Sequence, residues 1–216
     1  MIKTKKTGTL IVISAPSGAG KGTICRELLK RNDNLCMSIS MTTRSPREGE
    51  ENGVDYYFVS KEEFEKRISE GKFLEYAKVH NDNYYGTPKD KVDEWLKEEK
   101  DVILEIDIQG ALEINDKVKE AIFIFIMPPS MQILKQRLIR RNTETKEQLI
   151  ERFKTAYKEI NEVSKYNYVV INDDINLAVK KIESILTAEK CRVDRIEEVD
   201  LNNKEELIHE LLIDMK

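Results

Sequence analysis

The sequence predicts an α/β protein in which helices cover both faces of a central parallel sheet. Three observations support this fold class. Continuous apolar segments of strand length recur along the chain, a helical pattern follows each of them, and the first such segment ends at a glycine-rich turn. Buried parallel strands are apolar on both faces, and their crossovers are usually helices. We therefore expect a three-layer arrangement of helix, sheet and helix.

Composition restricts the classes of protein to which the chain can belong. Its 216 residues, 40% hydrophobic and 35% charged, suit a globular core with or without inserted lobes. A net charge of −4 and the absence of an apolar run of membrane-spanning length argue against nucleic acid and membrane as partners. Three widely spaced cysteines without a secretory signal predict a cytoplasmic protein. The composition is compatible with a monomer and with a homo-oligomer.

The strands and helices can be placed in order along the chain. Residues 9–14 form a β-branched strand, and residues 22–31 follow with an apolar helical face. Later strands are predicted at 101–107, 121–127 and 168–171, each apolar on both faces. Between the helix at 22–31 and the strand at 101–107, short mixed segments with tyrosines and turn residues indicate a lobe inserted at about residues 35–90.

The segment SAPSGAGKGT, residues 14–23, has the features of a phosphate-binding loop. Gly18, Gly20 and Lys21 have the usual spacing, although Ala15 stands at the first glycine position. Backbone N–H groups and a helix N-terminus face the phosphates in such a loop, and the lysine neutralises them. A glycine-rich turn with a solvated lysine would explain fewer of these features. The predicted ATP-binding residues are Ala15, Pro16, Ser17, Gly18, Ala19, Gly20, Lys21, Gly22 and Thr23.

The loop lacks a hydroxyl at the position that normally contacts Mg²⁺, which is Gly22. Mg²⁺ keeps several waters and relies on nucleotide oxygens, so metal binding does not require that hydroxyl. We expect Thr23 to supply a nearby hydroxyl and Asp107 to hold the ion through water. Glu105 and Asp107 end a buried strand, at the edge where ligands bind in open α/β sheets. A structural ion pair is the alternative for these carboxylates.

The predicted lobe contains a turn-rich segment, TTRSPREGEENGVDYYF, with two arginines. Arg44 and Arg47 are close enough in sequence for both guanidinium groups to bind one phosphate, and Tyr56 adds a hydroxyl donor. A solvated loop of mixed charge is the alternative.

Six segments, in this order, make the chain resemble the guanylate kinases over about residues 8–190: SAPSGAGKGT, TTRSPREGEENGVDYYF, EYAKVHNDNYYGT, ILEIDIQG, RLIRRNTET and YVVINDD. The resemblance implies a P-loop kinase fold spanning residues 1–192, with a GMP-binding lobe at about 35–90 and a helical lid at about 138–152. It implies transfer of the γ-phosphoryl group of ATP to GMP, and to dGMP, with Mg²⁺ as cofactor.

The resemblance also implies roles for individual residues. The positions that hold the GMP phosphate are matched by Arg44, Arg47, Tyr56 and Tyr85. The positions around the guanine are matched by Ser40, Glu75, Thr87 and Asp107, and Glu50 belongs to the same lobe. The catalytic residues that neutralise the transferring phosphates are Lys21, Arg44, Arg137, Arg141 and Arg152.

The chemistry of Glu75 agrees with the implied role. Guanine presents two neighbouring donors that one carboxylate can accept together, and adenine presents no such pair. A surface carboxylate on a strand is the alternative for this residue. Two other functions stay open: a scaffold of the same fold that binds phosphopeptides, which would be expected to lack the phosphate loop, and a nucleotide kinase with another acceptor base.

The chain continues beyond the region of resemblance. Residues 193–216 are predicted to form a short helical extension, because apolar residues recur there at helical spacing. These residues are Leu207, Ile208, Leu211, Leu212 and Met215.

Overall fold

A computed structural model of the protein describes residues 2–4, 7–79, 82–140 and 146–199. The chain divides into two compact units, one comprising residues 7–181 and the other residues 1–6 and 182–216.

The strands are β1 (Ile2–Thr4), β2 (Leu10–Ser14), β3 (Leu35–Met37), β4 (Met41–Thr42), β5 (Tyr57–Phe58), β6 (Phe73–Val79), β7 (Asn83–Pro88), β8 (Asp101–Glu105), β9 (Ile122–Met127), β10 (Tyr168–Ile171) and β11 (Ile196–Val199). The α-helices are α1 (Lys21–Arg31), α2 (Lys61–Ser69), α3 (Lys89–Lys97), α4 (Ile108–Lys117), α5 (Met131–Arg140), α6 (Lys146–Ile160) and α7 (Ile175–Lys190). Short 3₁₀ helices occur at Asn161–Lys165 and Val193–Arg195.

The larger unit is built on a sheet of five parallel strands in the order β10-β9-β2-β8-β3. Every residue of β2 is buried, as its apolar sequence predicts. The predicted parallel sheet is confirmed. Strand β2 lies at its centre, so the segment that follows β2 lies at the carboxyl edge where α/β proteins bind ligands.

One strand differs from its predicted burial. Val170 of β10 is 2% exposed, but Val169 and Ile171 are 53% and 46% exposed. Alternate residues of a strand point to opposite faces, and β10 is an edge strand of this sheet. The sequence prediction that both faces of this strand are buried was wrong.

The inserted lobe contains a second, mixed sheet in the order β5-β4-β7-β6, together with α2. Phe64 of α2 is fully buried and stacks on Phe73 and Tyr84, with ring centroids 4.4 and 5.1 Å apart. The sheet begins at Met41 rather than near residue 35, because β3 pairs with β8 as the edge of the parallel sheet. Three residues of β3 carry too short a pattern to be separated from the lobe by sequence.

The smaller unit contains an antiparallel pair of β1 and β11, in which Ile2 lies opposite Val199. The extension that was predicted to be helical therefore begins with a 3₁₀ helix and a strand. The apolar residues on which the helix prediction rests, 207–215, lie outside the described residues. In the described ranges, no helix has the length and apolarity needed to cross a membrane.

Candidate active site

The segment between β2 and α1 is a tight loop with two glycines in the left-handed region. Gly18 has φ +87° and Gly20 has φ +96°, a backbone conformation that favours glycine. A Cβ atom on Gly20 would lie 2.4 Å from Nδ2 of Asn172, so close approach also requires glycine there. Gly20 is the N-cap of α1 and, having no side chain, does not cap the helix itself. The amino end of α1 is therefore open to an anion.

Three side chains from later elements hold this loop. Asn172, directly after β10, donates from Nδ2 to the Ala19 carbonyl over 2.7 Å. Arg137 of α5 donates to the same carbonyl over 3.2 Å and to the Asn172 carbonyl over 3.0 Å. Arg152 of α6 donates to the Ser17 hydroxyl over 2.6 Å. Arg137 and Arg152, two of the four arginines that the resemblance assigns to the transferring phosphates, thus reach the loop. Asn172 was missed, although its signal is a polar residue at the end of an apolar strand.

Lys21, the first residue of α1, contacts the end of β8, and Glu105, the last residue of β8, lies beside α1. The Lys21 ammonium donates to the carbonyl of Ile106 over 2.6 Å, which directs it to the end of β8. Glu105, the last residue of β8, is close to α1: its Oε1 atom lies 3.2 Å from the position that a Cβ on Gly22 would occupy. The glycine at position 22 thus leaves room for a carboxylate beside the phosphate loop.

The lobe presents an arginine held on several sides. Both terminal nitrogens of Arg44 donate to Glu50, over 2.8 and 2.9 Å, and its Nε donates to the Tyr85 hydroxyl over 3.1 Å. The guanidinium carbon lies 5.3 Å from the ring centre of Tyr56, a cation–π distance. Hydrogen bonds from Arg44 and from the Arg47 N–H lower the pKa of Glu50 to about 2, so this carboxylate stays charged. Arg47 itself is exposed.

The lobe also contains a buried carboxylate, opposite Thr87 of β7. Glu75 is 5% exposed and its Oε1 accepts a 2.6 Å hydrogen bond from the Thr87 hydroxyl. Burial, assisted by the charges of Asp107 and Glu113, raises the pKa of Glu75 to about 7. The other oxygen lies 2.8 Å from where a Cβ on Gly110 would be, so a side chain at that point of α4 would displace the Glu75 carboxylate. Asp107 caps α4 by accepting the Gly110 N–H over 2.8 Å.

The remaining predicted residues are less constrained by contacts. Ser40 is half-buried and its carbonyl accepts the Tyr57 N–H over 2.9 Å. Thr23 is half-buried in the first turn of α1. Arg141 lies outside the described residues, between α5 and α6. In the described part of the chain, no group of three or more His, Cys, Asp and Glu side chains is arranged to hold a metal.

A parallel sheet whose central strand leads into a glycine-rich loop and a helix, with a lysine at the end of the loop and arginines directed at it, defines a P-loop phosphotransferase. The family model for guanylate kinase matches residues 7–189. The chain therefore belongs to the guanylate kinase family.

Individual relatives agree with this assignment. A guanylate kinase of Clostridium tetani is 65% identical over 207 residues, which cover 96% of this chain and 99% of that protein. A guanylate kinase of Clostridium perfringens is 60% identical over 213 residues, covering 99% and 98% of the two chains. The crystal structure of guanylate kinase from Anaplasma phagocytophilum superposes with a TM-score of 0.74 at 33% identity and covers 98% of this chain and 96% of its own.

Proposed function

We propose that the protein transfers the γ-phosphoryl group of ATP to GMP, giving ADP and GDP, and that dGMP is also an acceptor. The observation that carries this proposal is a continuous connection between two sites. The Lys21 ammonium donates to the Ile106 carbonyl. The next residue, Asp107, caps α4 by accepting the Gly110 N–H. The Glu75 carboxylate packs against Gly110. The end of β8 thus joins a donor site at the loop to a base-binding carboxylate in the lobe.

The lobe is suited to a nucleoside monophosphate. Arg44, with Tyr85 and Tyr56 beside it, supplies a preorganised cation for the acceptor phosphate. Glu75 and Thr87 supply acceptor and hydroxyl groups for the guanine edge. Arg44 and Glu75 contact Tyr85 and Thr87, which lie two residues apart on β7. A phosphate-binding group and a purine reader in one lobe fit GMP as the acceptor.

The chemistry needs no protein nucleophile. An oxygen of the GMP phosphate attacks the γ-phosphorus of ATP in line, and the protein contributes position and charge. Lys21 stands at the end of the loop, and Arg137 and Arg152 reach the loop from α5 and α6. These three cations would neutralise the charge that spreads over the transferring oxygens. Arg141, in the predicted lid, would add to this set. Closure of the lobe and lid excludes water that would otherwise hydrolyse ATP.

The residues around the loop fit a Mg²⁺ ion that is held mainly by nucleotide oxygens and water. Thr23 lies in the first turn of α1, Asp107 follows β8, and the Glu105 carboxylate stands beside Gly22. Carboxylate and hydroxyl oxygens are the ligands that Mg²⁺ prefers, directly or through water. When bound, the ion would neutralise phosphate charge and order the phosphates for transfer.

We also assign the kinase activity to residues 1–192, with 193–216 as an extension, and place the protein in the cytoplasm. Its three cysteines are free: Cys25 is buried, Cys36 is half-buried and Cys191 is exposed. Free thiols fit a reducing compartment.

An acceptor panel tests this function. The protein is incubated with ATP and Mg²⁺ and with GMP, dGMP, AMP, CMP or UMP in turn, and ADP formation is measured. We expect rapid turnover with GMP and dGMP only. Preference for AMP or a pyrimidine nucleotide would identify another nucleotide kinase, and phosphopeptide binding without turnover on any acceptor would identify a scaffold.

A further inference from the structure

Helix α4 contains a glycine that its own backbone does not require. Gly110 lies in the first turn of the helix, and its φ angle is outside the left-handed region that favours glycine. Its N–H donates to Asp107 over 2.8 Å, a bond that any residue except proline can make. A glycine within a helix is destabilising relative to alanine. The reason for glycine at this position therefore lies in what packs against it.

The side chain of Glu75 packs directly against Gly110. A Cβ atom on Gly110 would lie 2.8 Å from Oε2, 3.1 Å from Cδ and 3.5 Å from Cγ of Glu75, and these are the three nearest atoms of other elements. The first two distances are shorter than ordinary van der Waals contact. The absence of a side chain at Gly110 thus leaves the space that the Glu75 carboxylate occupies.

Both sides of this contact are held in place. Glu75 lies opposite Thr87 in the β6–β7 pair, and its Oε1 atom accepts the 2.6 Å hydrogen bond from the Thr87 hydroxyl. Helix α4 is anchored by Ile108, Ala111 and Ile114, which are buried. The carboxylate is thus confined between β7, on the side of Oε1, and α4, on the side of Oε2. A methyl group at position 110 would shift the carboxylate, the end of a flexible side chain, more easily than the buried helix.

We propose that Gly110 is a positioning residue for base specificity, which leaves room for the Glu75 carboxylate against α4 and so sets the position from which that carboxylate reads guanine. The proposal rests on the proposed function, in which Glu75 binds the base of GMP. The two guanine donors are fixed relative to each other, so a shift of the carboxylate weakens both hydrogen bonds. Gly110 acts on the base through Glu75.

Steady-state kinetics of Gly110→Ala test this role, with Asp116→Ala, at an exposed residue of the same helix, as the matched control. Loss of one hydrogen bond to a charged group corresponds to about a tenfold change. We expect Gly110→Ala to lower kcat/KM for GMP about tenfold, and with it the ratio of the GMP and AMP values. The KM for ATP should change less than about twofold. Gly110→Ala should remain folded, and the control should match wild type.

The same substitution in Glu75→Ala distinguishes an effect through Glu75 from a general effect on α4. Without the Glu75 side chain, a Cβ at position 110 displaces nothing. Adding Gly110→Ala to Glu75→Ala should therefore change kcat/KM for GMP less than about twofold. An effect on the helix itself would lower this value by the same factor in both backgrounds.

A crystal structure of ligand-free Gly110→Ala tests the contact without any reaction, and should show the Glu75 carboxylate shifted away from α4. An unmoved carboxylate, an unchanged ratio of the GMP and AMP values, or equal losses in both backgrounds would overturn the proposal. Loss of folding in Gly110→Ala would overturn it too, because the glycine would then serve the fold. Absence of GMP phosphorylation by wild type would instead remove the proposed function and leave the crystal structure to decide whether Gly110 positions Glu75.

Discussion

Arg44 and Glu50 form a two-bond ion pair, with Nη1–Oε2 and Nη2–Oε1 distances of 2.8 and 2.9 Å. Their side chains are only 14% and 19% exposed. Because the pKa of Glu50 is about 2, the pair persists at every pH at which the enzyme would work. The arginine that is expected to bind the GMP phosphate is thus already oriented in the absence of that phosphate.

Removal of the Glu50 carboxylate should therefore weaken GMP binding, even though it also removes a negative charge near the site expected to bind the GMP phosphate. In Glu50→Ala, Arg44 keeps its charge and its bond to Tyr85 but loses its two-bond partner. We expect the KM for GMP to rise about tenfold, as for the loss of a charged hydrogen-bonding partner, with the KM for ATP nearly unchanged. Arg44→Ala should have a larger effect on GMP than Glu50→Ala. A lower KM for GMP in Glu50→Ala would show that repulsion by Glu50 outweighs orientation.

Lys21 should be essential for turnover and dispensable for folding. Its ammonium reaches the end of β8, where the transferring phosphoryl group would lie. Lys21→Ala should lower kcat by at least about 10²- to 10³-fold, as expected for the loss of a preorganised charge. Lys30→Ala removes a lysine from the other end of α1, paired with Glu27 at the surface, and should match wild type. Single-turnover measurements together with thermal unfolding separate the two effects, and near-normal turnover of folded Lys21→Ala would refute the phosphate-loop assignment.

These residues also show what sequence could and could not predict. The phosphate loop is a local pattern, so Gly18, Gly20 and Lys21 were identified from spacing alone. The partners of the loop come from distant segments: Asn172 is 153 residues from Ala19, and no spacing rule connects them. The short strands β3 and β11 were missed because three or four residues carry too little pattern.

The Glu105 carboxylate lies beside Gly22, the position at which a hydroxyl usually contacts Mg²⁺. Substitutions at these two residues therefore test the proposed metal site. Glu105→Gln should raise the Mg²⁺ concentration needed for half-maximal activity about tenfold, because an oxygen ligand or an acceptor for metal-bound water loses its charge. Adding Gly22→Ser to Glu105→Gln should recover part of this loss by restoring the usual hydroxyl.

Binding of Mn²⁺ in the presence of a non-hydrolysable ATP analogue, followed by electron paramagnetic resonance, gives a readout independent of turnover. Glu94→Gln, a change at an exposed ion pair of α3, serves as the control. Equal Mn²⁺ affinity in wild type and Glu105→Gln would exclude Glu105 from the metal site.

Acceptor binding should depend on pH through Glu75. The pKa of this carboxyl is raised from 4.5 to about 7 in the ligand-free protein, whereas two guanine donors favour the ionised form. GMP affinity should therefore rise with pH up to about 7 and level off above it, with a loss of up to about tenfold per pH unit below. The same raised pKa stabilises the folded state below pH 4.5, and this contribution is lost as the pH rises through 7.

Comparison with Glu75→Gln isolates the contribution of this group. The second ionisation of the GMP phosphate, near pH 6, affects both proteins equally. The ratio of their GMP dissociation constants, and the difference between their free energies of unfolding, should each change between pH 5 and 8. Parallel profiles would show that Glu75 does not titrate in this range.

The choice of base gives the most direct test of the acceptor site. Glu75 is 5% exposed and one of its oxygens is already bonded to Thr87. Adenine offers no pair of donors, so it would make neither of the two hydrogen bonds that guanine can make with this buried carboxylate. Sites built to hydrogen-bond a substrate group can reject an analogue that lacks it by ~10⁴- to 10⁵-fold. We therefore expect GMP to be strongly preferred over AMP.

Glu75→Gln replaces one acceptor by a donor that faces the guanine donors, so GMP should lose much of its advantage while ATP affinity changes little. AMP should gain slightly, because the cost of desolvating the carboxylate disappears. The measurement is kcat/KM for both acceptors at saturating ATP, in wild type and Glu75→Gln, with Glu94→Gln as the surface control. If the ratio of the GMP and AMP values is the same in all three proteins, Glu75 does not read the base.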